Sequence, residues 1–202
     1  MRAFVKYIPF LSLIIIIVTL PEVGMCQTDV DVETAVLPLP ANLQSNASVM
    51  TYTAEGTLRI IRSGTNGFFC IADNPRDQQF SVACHPESMR PYLERRRQLS
   101  LTESRTVRDS LLTEEIKEGK IELAVGTLSR FISGSINPET RVPDSVRVWS
   151  EIAVPFAGPE KTGLTTEDAG EAPWMMRPNQ YGAHIMIDYS TVAWADVRKS
   201  NE

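Results

Sequence analysis

The chain has 202 residues, with 20 Lys and Arg against 25 Asp and Glu for a net charge of −5, three cysteines and two histidines. The acidic balance argues against nucleic acid as a partner, since phosphate neutralisation by Lys and Arg supplies most of such affinity. Two histidines exclude a three-histidine zinc site, and the chain carries no HExxH helix, glycine-rich phosphate loop, G-x-S-x-G elbow or S-x-x-K element.

Arg2 and Lys6 precede a largely apolar run from Tyr7 to Leu20, which loosens through Pro21, Gly24 and Cys26 into polar sequence. That order predicts a secretory signal over residues 1–26. The run is shorter than the roughly 20 residues a spanning helix needs. Three readings of its end stay open. Cleavage after Cys26 places small residues at the −3 and −1 positions and leaves Gln27 first. Alternatively Cys26 itself carries lipid, although Met25 stands where a small residue is usual. The third is an uncleaved signal anchor. Residues 27–50 hold alternating Asp and Val and then Leu37-Pro38-Leu39-Pro40, with no sustained period, and are expected to form a flexible tether.

A single domain is expected over residues 51–190. Thr57 to Ser63 and Gly67 to Ala72 are short β-branched or aromatic runs split by Ser63-Gly64-Thr65-Asn66-Gly67, and a third run lies near Phe80 to Cys84. Apolar runs punctuated by turn residues predict strands. Cys70 and Cys84 form the even pair that an oxidising compartment favours, predicting a disulfide, with two buried free thiols as the alternative. The stretch from Pro91 to about Ser100 predicts a helix, with Met89, Tyr92, Leu93 and Leu99 near one face. A second helix is predicted from about Ser104 to Glu118, carrying Val107, Leu111, Leu112 and Ile116 inward and stopping at Gly119. Arg95, Arg96 and Arg97 step about 100° apart on the first helix and form no stripe.

Val146 to Phe156 alternates apolar and polar residues, predicting a strand with one buried face and one largely wet face, paired as a hairpin with Arg130 to Ile136. Gly158 to Gly182 is a long connection expected to lack regular structure and to fold back over Trp174. Ala183 to Asp188 supplies a last strand, and residues 191–202 read as a C-terminal tail. Successive strands joined by turns, with the helices gathered in one insertion, predict an α+β domain with a mainly antiparallel sheet and two helices inserted between strands.

Chemistry has few candidates. Cys84 and His85 are neighbours in a strand, point to opposite faces and do not make a nucleophile–base pair. His184, Met186 and Asp188 share one strand face, and His with Met suits copper or haem. Trp174, Met175 and Met176 on the loop, with His184 and Met186, are the candidate ligand-binding residues, since binding sites often join aromatic anchors to a few polar groups, with plain core packing of the same side chains as the alternative. Glu114, Glu115 and Glu118 read as a solvated helix face, and Glu151 lies on the polar face of the long strand.

Phe69 to Asp73, Cys84 to Leu93, and Ala172-Pro173-Trp174-Met175-Met176 leading to Ala183-His184-Ile185-Met186-Ile187 resemble a group of exported bacterial proteins with no known activity. The resemblance covers Phe68 to Ile187 and implies a bacterial envelope or secreted protein. It brings no catalytic residue, cofactor or substrate. The expectation is a non-enzymatic exported domain that binds a small ligand or an envelope protein through its long C-terminal loop, with no cofactor, no metal and no nucleic-acid partner. Membrane contact is expected only through lipid on Cys26 or an uncleaved signal anchor. The rivals are a hydrolase-type enzyme using His85 or His184 with a distant Ser or Asp, and a metal or haem carrier at His184 and Met186.

Overall fold

The computed structural model describes residues 31–140, 142–170 and 172–199. The signal expected at 1–26, with Cys26 and its candidate lipid, lies outside the described residues. Among the described residues no helix is long and apolar enough to cross a membrane.

A helical turn at 31–35 and α1 (Ala41–Gln44) lead into β1 (Ser48–Tyr52), which pairs antiparallel with β2 (Leu58–Arg62). Gly56 at φ +79° supplies the left-handed residue of the turn between them. β3 (Phe68–Ile71) returns on the other side of β1 and runs parallel to it. The crossing is tight: a Cβ at Gly64 would overlap the backbone of Asn46, Ala47 and Ser48. β4 (Gln79–Pro86) follows, then α2 (Arg90–Thr102) and α3 (Arg105–Lys117), then β5 (Leu128–Ser135) and β6 (Ser145–Ala153). The chain continues through α4 (Pro159–Thr162), β7 (Trp174–Met176), β8 (His184–Ala193) and α5 (Trp194–Lys199). The eight strands make one sheet in the order β2-β1-β3-β4-β5-β6-β8-β7, antiparallel throughout except at β1 and β3. The fold is α+β and sheet-dominated, with α2 and α3 inserted between β4 and β5.

Cys70 and Cys84 are directly opposed in β3 and β4, both fully buried, and joined by a disulfide. They stand 14 positions apart. In the chain-entropy model a closed loop of about 15 residues stabilises by about 3 kcal/mol. Local signals set both helices. Pro91 occupies the first turn of α2, the Ser104 side chain accepts the Val107 N–H to cap α3, and Gly119 at φ +70° ends it. Arg95 reaches Glu115 with two nitrogens and ties α2 to α3.

Both faces of the sheet are covered. On one, Met50 and Phe69 pack with Met89, Tyr92 and Leu99 of the α2 region, Leu112 of α3, and Tyr181. On the other, Ala35, Val36 and Leu39 close over Val49, Cys70 and Cys84, while Trp194 and Val197 of α5 close over Phe80, Val82, Ile132 and Val146.

Five expectations are corrected by this packing. Residues 31–50 are a cover layer and the first strand, because a sheet face carrying that much apolar surface has to be shielded. Their two prolines break any period without preventing burial. Residues 191–199 likewise complete β8 and form α5, so the tail does not begin at 191. The face of β6 expected to be wet lies over the helix side, where Trp149 stacks on Phe131 with centroids 5.2 Å apart. Val107 is 44% exposed, because the inward face of α3 is carried by Leu111, Leu112 and Ile116. The long connection does bury Trp174, but as an edge strand.

Leu39 discriminates cover layer from tether. Leu39→Ala should lower the unfolding free energy by about 2 to 4 kcal/mol in urea titrations, as for a core leucine, whereas a solvated tether position would stay within about 0.5 kcal/mol.

Candidate functional site

Register places one row of side chains across the helix-covered face. Phe69 opposes His85, Ser129 opposes Glu151, Glu151 opposes Met186, and Trp174 opposes Met186. His85 and Ser129 are joined directly, Nδ1 to Oγ at 2.8 Å. Next to this row stands His184, the strand partner of Ala153 on β6. Four chemically capable groups from four strands, His85, Ser129, Glu151 and His184, therefore share the floor beneath α2.

Between that floor and α2 lies a cavity of about 510 Å³. Phe69, Ile71, Ala83 and Phe131 form its apolar floor around the polar row, Met50, Tyr52 and Leu58 one side, and Met89, Tyr92, Leu93, Arg96 and Arg97 its roof. The long connection supplies Arg177 and Gly182. That connection is clamped to α3: Asp109 accepts from the Tyr181 hydroxyl at 2.8 Å and from Arg177 at 3.1 Å. Burial raises the Asp109 pKa, but the bonds from Tyr181 and Arg108 outweigh it and hold the carboxylate below its ordinary range. A smaller space of about 60 Å³ is lined by Ser129, Glu151 and His184 together with Met89 and Tyr92. On the opposite face a groove of about 530 Å³ runs between residues 37–41 and α5, lined mainly by apolar side chains, and gathers no histidine.

The two histidines are held differently. His85 is sandwiched by the rings of Phe69 and Phe131 at 5.4 and 5.5 Å. Burial, with Arg96 adding to it, drives its pKa down to about 3, so it is neutral at physiological pH. His184 has Nδ1 2.8 Å from the Gly182 carbonyl oxygen, which only accepts, so Nδ1 carries the proton. In the neutral ring Nε2 is then a bare acceptor, buried and without a hydrogen-bond partner. The Glu151 carboxylate stands 3.8 Å from it, beyond a hydrogen bond, and accepts from the Trp149 indole at 3.4 Å. A donor between Nε2 and the carboxylate, whether a ring proton or a ligand group, would complete the pair.

Of the candidate binding residues, His184 lines the cavity. Met186 sits in the same row, buried. Trp174 and Met176 share the His184 face as cross-strand partners of Met186 and His184, whereas Met175 opposes Ile185 and points to the other face, so the three loop residues do not line one groove. None of Trp174, Met175, Met176 and Met186 lines the cavity under α2. Trp174 and Met175 are buried and Met176 is 36% exposed. The side chain of Asp188 lies outside the described residues. Cys84 and His85 do face opposite sides, the first in the disulfide and the second in the cavity. Ser129 and Phe131 escaped the sequence reading. Phe131 lay within the predicted run from Arg130 to Ile136 and Ser129 just before it, because the strand begins at Leu128, and no local pattern says which strand lies alongside. Arg96 and Arg97 form no stripe, yet both line the cavity while Arg95 turns away to Glu115.

The neutral His85 generates a pH dependence. The unfolded imidazole titrates near 6.5 and the folded one near 3, so between those values the unfolded chain binds the extra proton. Its contribution is complete above about pH 6.5 and is lost as pH falls toward 3. Asp73 has the opposite sign. Desolvation raises its pKa from 3.8 to about 6, so stability through that group declines as pH rises across the interval. In urea titrations from about pH 7 to about pH 4, the stability advantage of the parent over His85→Asn should shrink steadily with acidification. A constant difference would mean that another group titrates.

Comparison of the chain with protein-family models, with curated proteins and with solved structures found no match, so the reading of this site rests on its own geometry.

Proposed function

We propose that the protein is an exported domain of the bacterial envelope or secreted fraction that binds a small organic molecule in the cavity between α2 and the sheet. The observation that carries the reading is the composition of that cavity. Its volume falls within the usual range for small-molecule sites, and apolar and aromatic side chains make up about half of its lining, with polar and charged groups set around them. A buried, unpartnered Nε2 on His184 is costly when nothing donates to it, and a ligand N–H or O–H between His184 and Glu151 removes that cost. The long C-terminal connection takes part through Arg177 and Gly182, with the Gly182 carbonyl setting the His184 tautomer.

Export is supported by the order of charge and apolar residues over 1–26 and by the Cys70–Cys84 disulfide, which suits an oxidising compartment. Lipid on Cys26 would hold the domain at a membrane surface, and cleavage after it would release the domain. The partner is a small molecule, and no cofactor or metal is part of the reading.

Native mass spectrometry of the exported, non-reduced protein tests it. The parent should carry or take up a small molecule, Ala83→Phe should abolish this by filling the cavity, and His184→Gln should weaken it about tenfold, for one lost hydrogen bond. Uptake that survives Ala83→Phe would place the ligand elsewhere.

A hydrolase is the second reading, favoured by the 2.8 Å contact between Ser129 Oγ and His85 Nδ1 inside the cavity. A base with a pKa near 3 is a weak proton acceptor at neutral pH, which places this reading second. An esterase activity lost in Ser129→Ala, with fold and ligand uptake intact, would reverse the order.

A further inference from the structure

The two ends of the cavity differ in polarity. At one end, over β6 and β8, Glu151 and His184 present acceptors. At the other, over β1, the Arg97 guanidinium lies on the Tyr52 ring at 4.6 Å and donates through Nη2 to the Gly56 carbonyl. β1 and β6 are separated by four strand spacings, roughly 19 Å.

Four arginines line the cavity, and two of them are already committed. Arg90 is held by both oxygens of Glu87, at 2.6 and 2.7 Å, and Arg177 by Asp109. Arg97 is different: its Nε is buried with no partner. Beside it, the guanidinium of Arg96 makes no hydrogen bond or ion pair among the described residues, and it lies close enough to His85 to oppose its protonation. A buried guanidinium N–H is expensive to leave unmade, and the planar fork of arginine matches carboxylate and phosphate oxygens. Stacking on Tyr52 and anchoring to Gly56 hold Arg97 in place before any ligand arrives, so little entropy is lost when one binds.

We infer that the ligand is an elongated organic anion, its carboxylate or phosphate oxygens held by Arg97 and Arg96 and its apolar body laid across Phe69 and Phe131. The inference rests on the cavity being a binding site, and it adds the ligand's charge and direction. The far end of the ligand carries a hydroxyl or amine, which meets Glu151 and His184. The two carboxylates of the lining do not oppose this assignment. Glu94 favours the charged form of Arg90, and Glu151 stands at the acceptor end.

The test uses matched probes on the intact exported protein by isothermal titration calorimetry. Hydroxydecanoate with its hydroxyl on the terminal carbon, decanediol and decanediol monophosphate share one body and differ in the anion alone. Either anion should bind at least tenfold tighter than the diol, and the stronger of the two identifies the oxyanion. Arg96→Gln, an exposed position that leaves the core intact, and Arg97→Lys, which keeps the charge but loses the fork, should each cut anion affinity severalfold and leave the diol unchanged. Equal binding of all three probes overturns the charge assignment and leaves the cavity reading standing. Binding of none, or binding unaffected by Ala83→Phe, overturns the cavity reading itself.

Discussion

A sheet with two apolar faces cannot stand alone, and the arrangement of this protein follows from covering both. On one face Phe80, Val82, Ile132 and Val146 demand a cover, and on the other Met50 and Phe69 do. Among the described residues the two long helices, α2 and α3, lie in one insertion between β4 and β5 and cover one face. The second face is closed by what comes before β1 and after β8. Residues 31–44 lie over the disulfide and α5 over the adjoining strands. Two segments at opposite ends of the described chain thereby become part of one core, and removing either would expose a continuous apolar surface to water.

The same constraint explains why a cavity forms where it does. The helix layer is amphipathic in a mixed way: Tyr92 and Leu99 are buried, while Arg96 and Arg97 on the same helix line the space over the sheet. Arg96 and Arg97 bring charged groups to the cavity beside Met89, Tyr92 and Leu93 of the same roof. Beneath them the floor is not uniformly apolar either. His85 is tolerated there because it stays neutral, bonds Ser129 and lies between two aromatic rings. Ser129 finds its partner in His85. Glu151 keeps partial exposure and an indole donor. His184 keeps a buried Nε2 unmatched at one end of the cavity, as Arg97 keeps a buried Nε at the other.

Much of the fold was legible because local chemistry and tertiary packing agree. Ser104 and Gly119 mark the ends of α3, Gly67 and Asn66 mark the turn before β3, and alternation marks β6. The even pair of cysteines pointed to the disulfide, and the strand pairing sets the two directly opposite each other. What escaped was non-local. Leu37-Pro38-Leu39-Pro40 carries no period, so its burial could be recognised only once the face it covers was known. Val148 and Trp149 were legible as opposite faces of one strand, but not that the Trp149 face would be roofed, since alternation reports the direction of a side chain and not what lies above it. For the site, both histidines and Glu151 were visible as isolated candidates. Their meeting depends on β5 inserting between β4 and β6, and Ser129 became a candidate only when register placed it beside His85.

The geometry also weighs binding against catalysis. A nucleophile needs a base whose proton affinity suits neutral pH, and the burial that brings His85 against Ser129 removes that affinity. Moving His85 toward water would restore its basicity but would also loosen its packing between Phe69 and Phe131. The opposite holds at the His184 end, where the Gly182 carbonyl fixes the ring and leaves Nε2 open toward the cavity. A bound donor there completes a hydrogen-bond set without any proton transfer. The proposed recognition draws on an aromatic and histidine-bearing floor, an acceptor pair at one end and underused arginine donors at the other, brought together from positions that the local sequence patterns left unconnected.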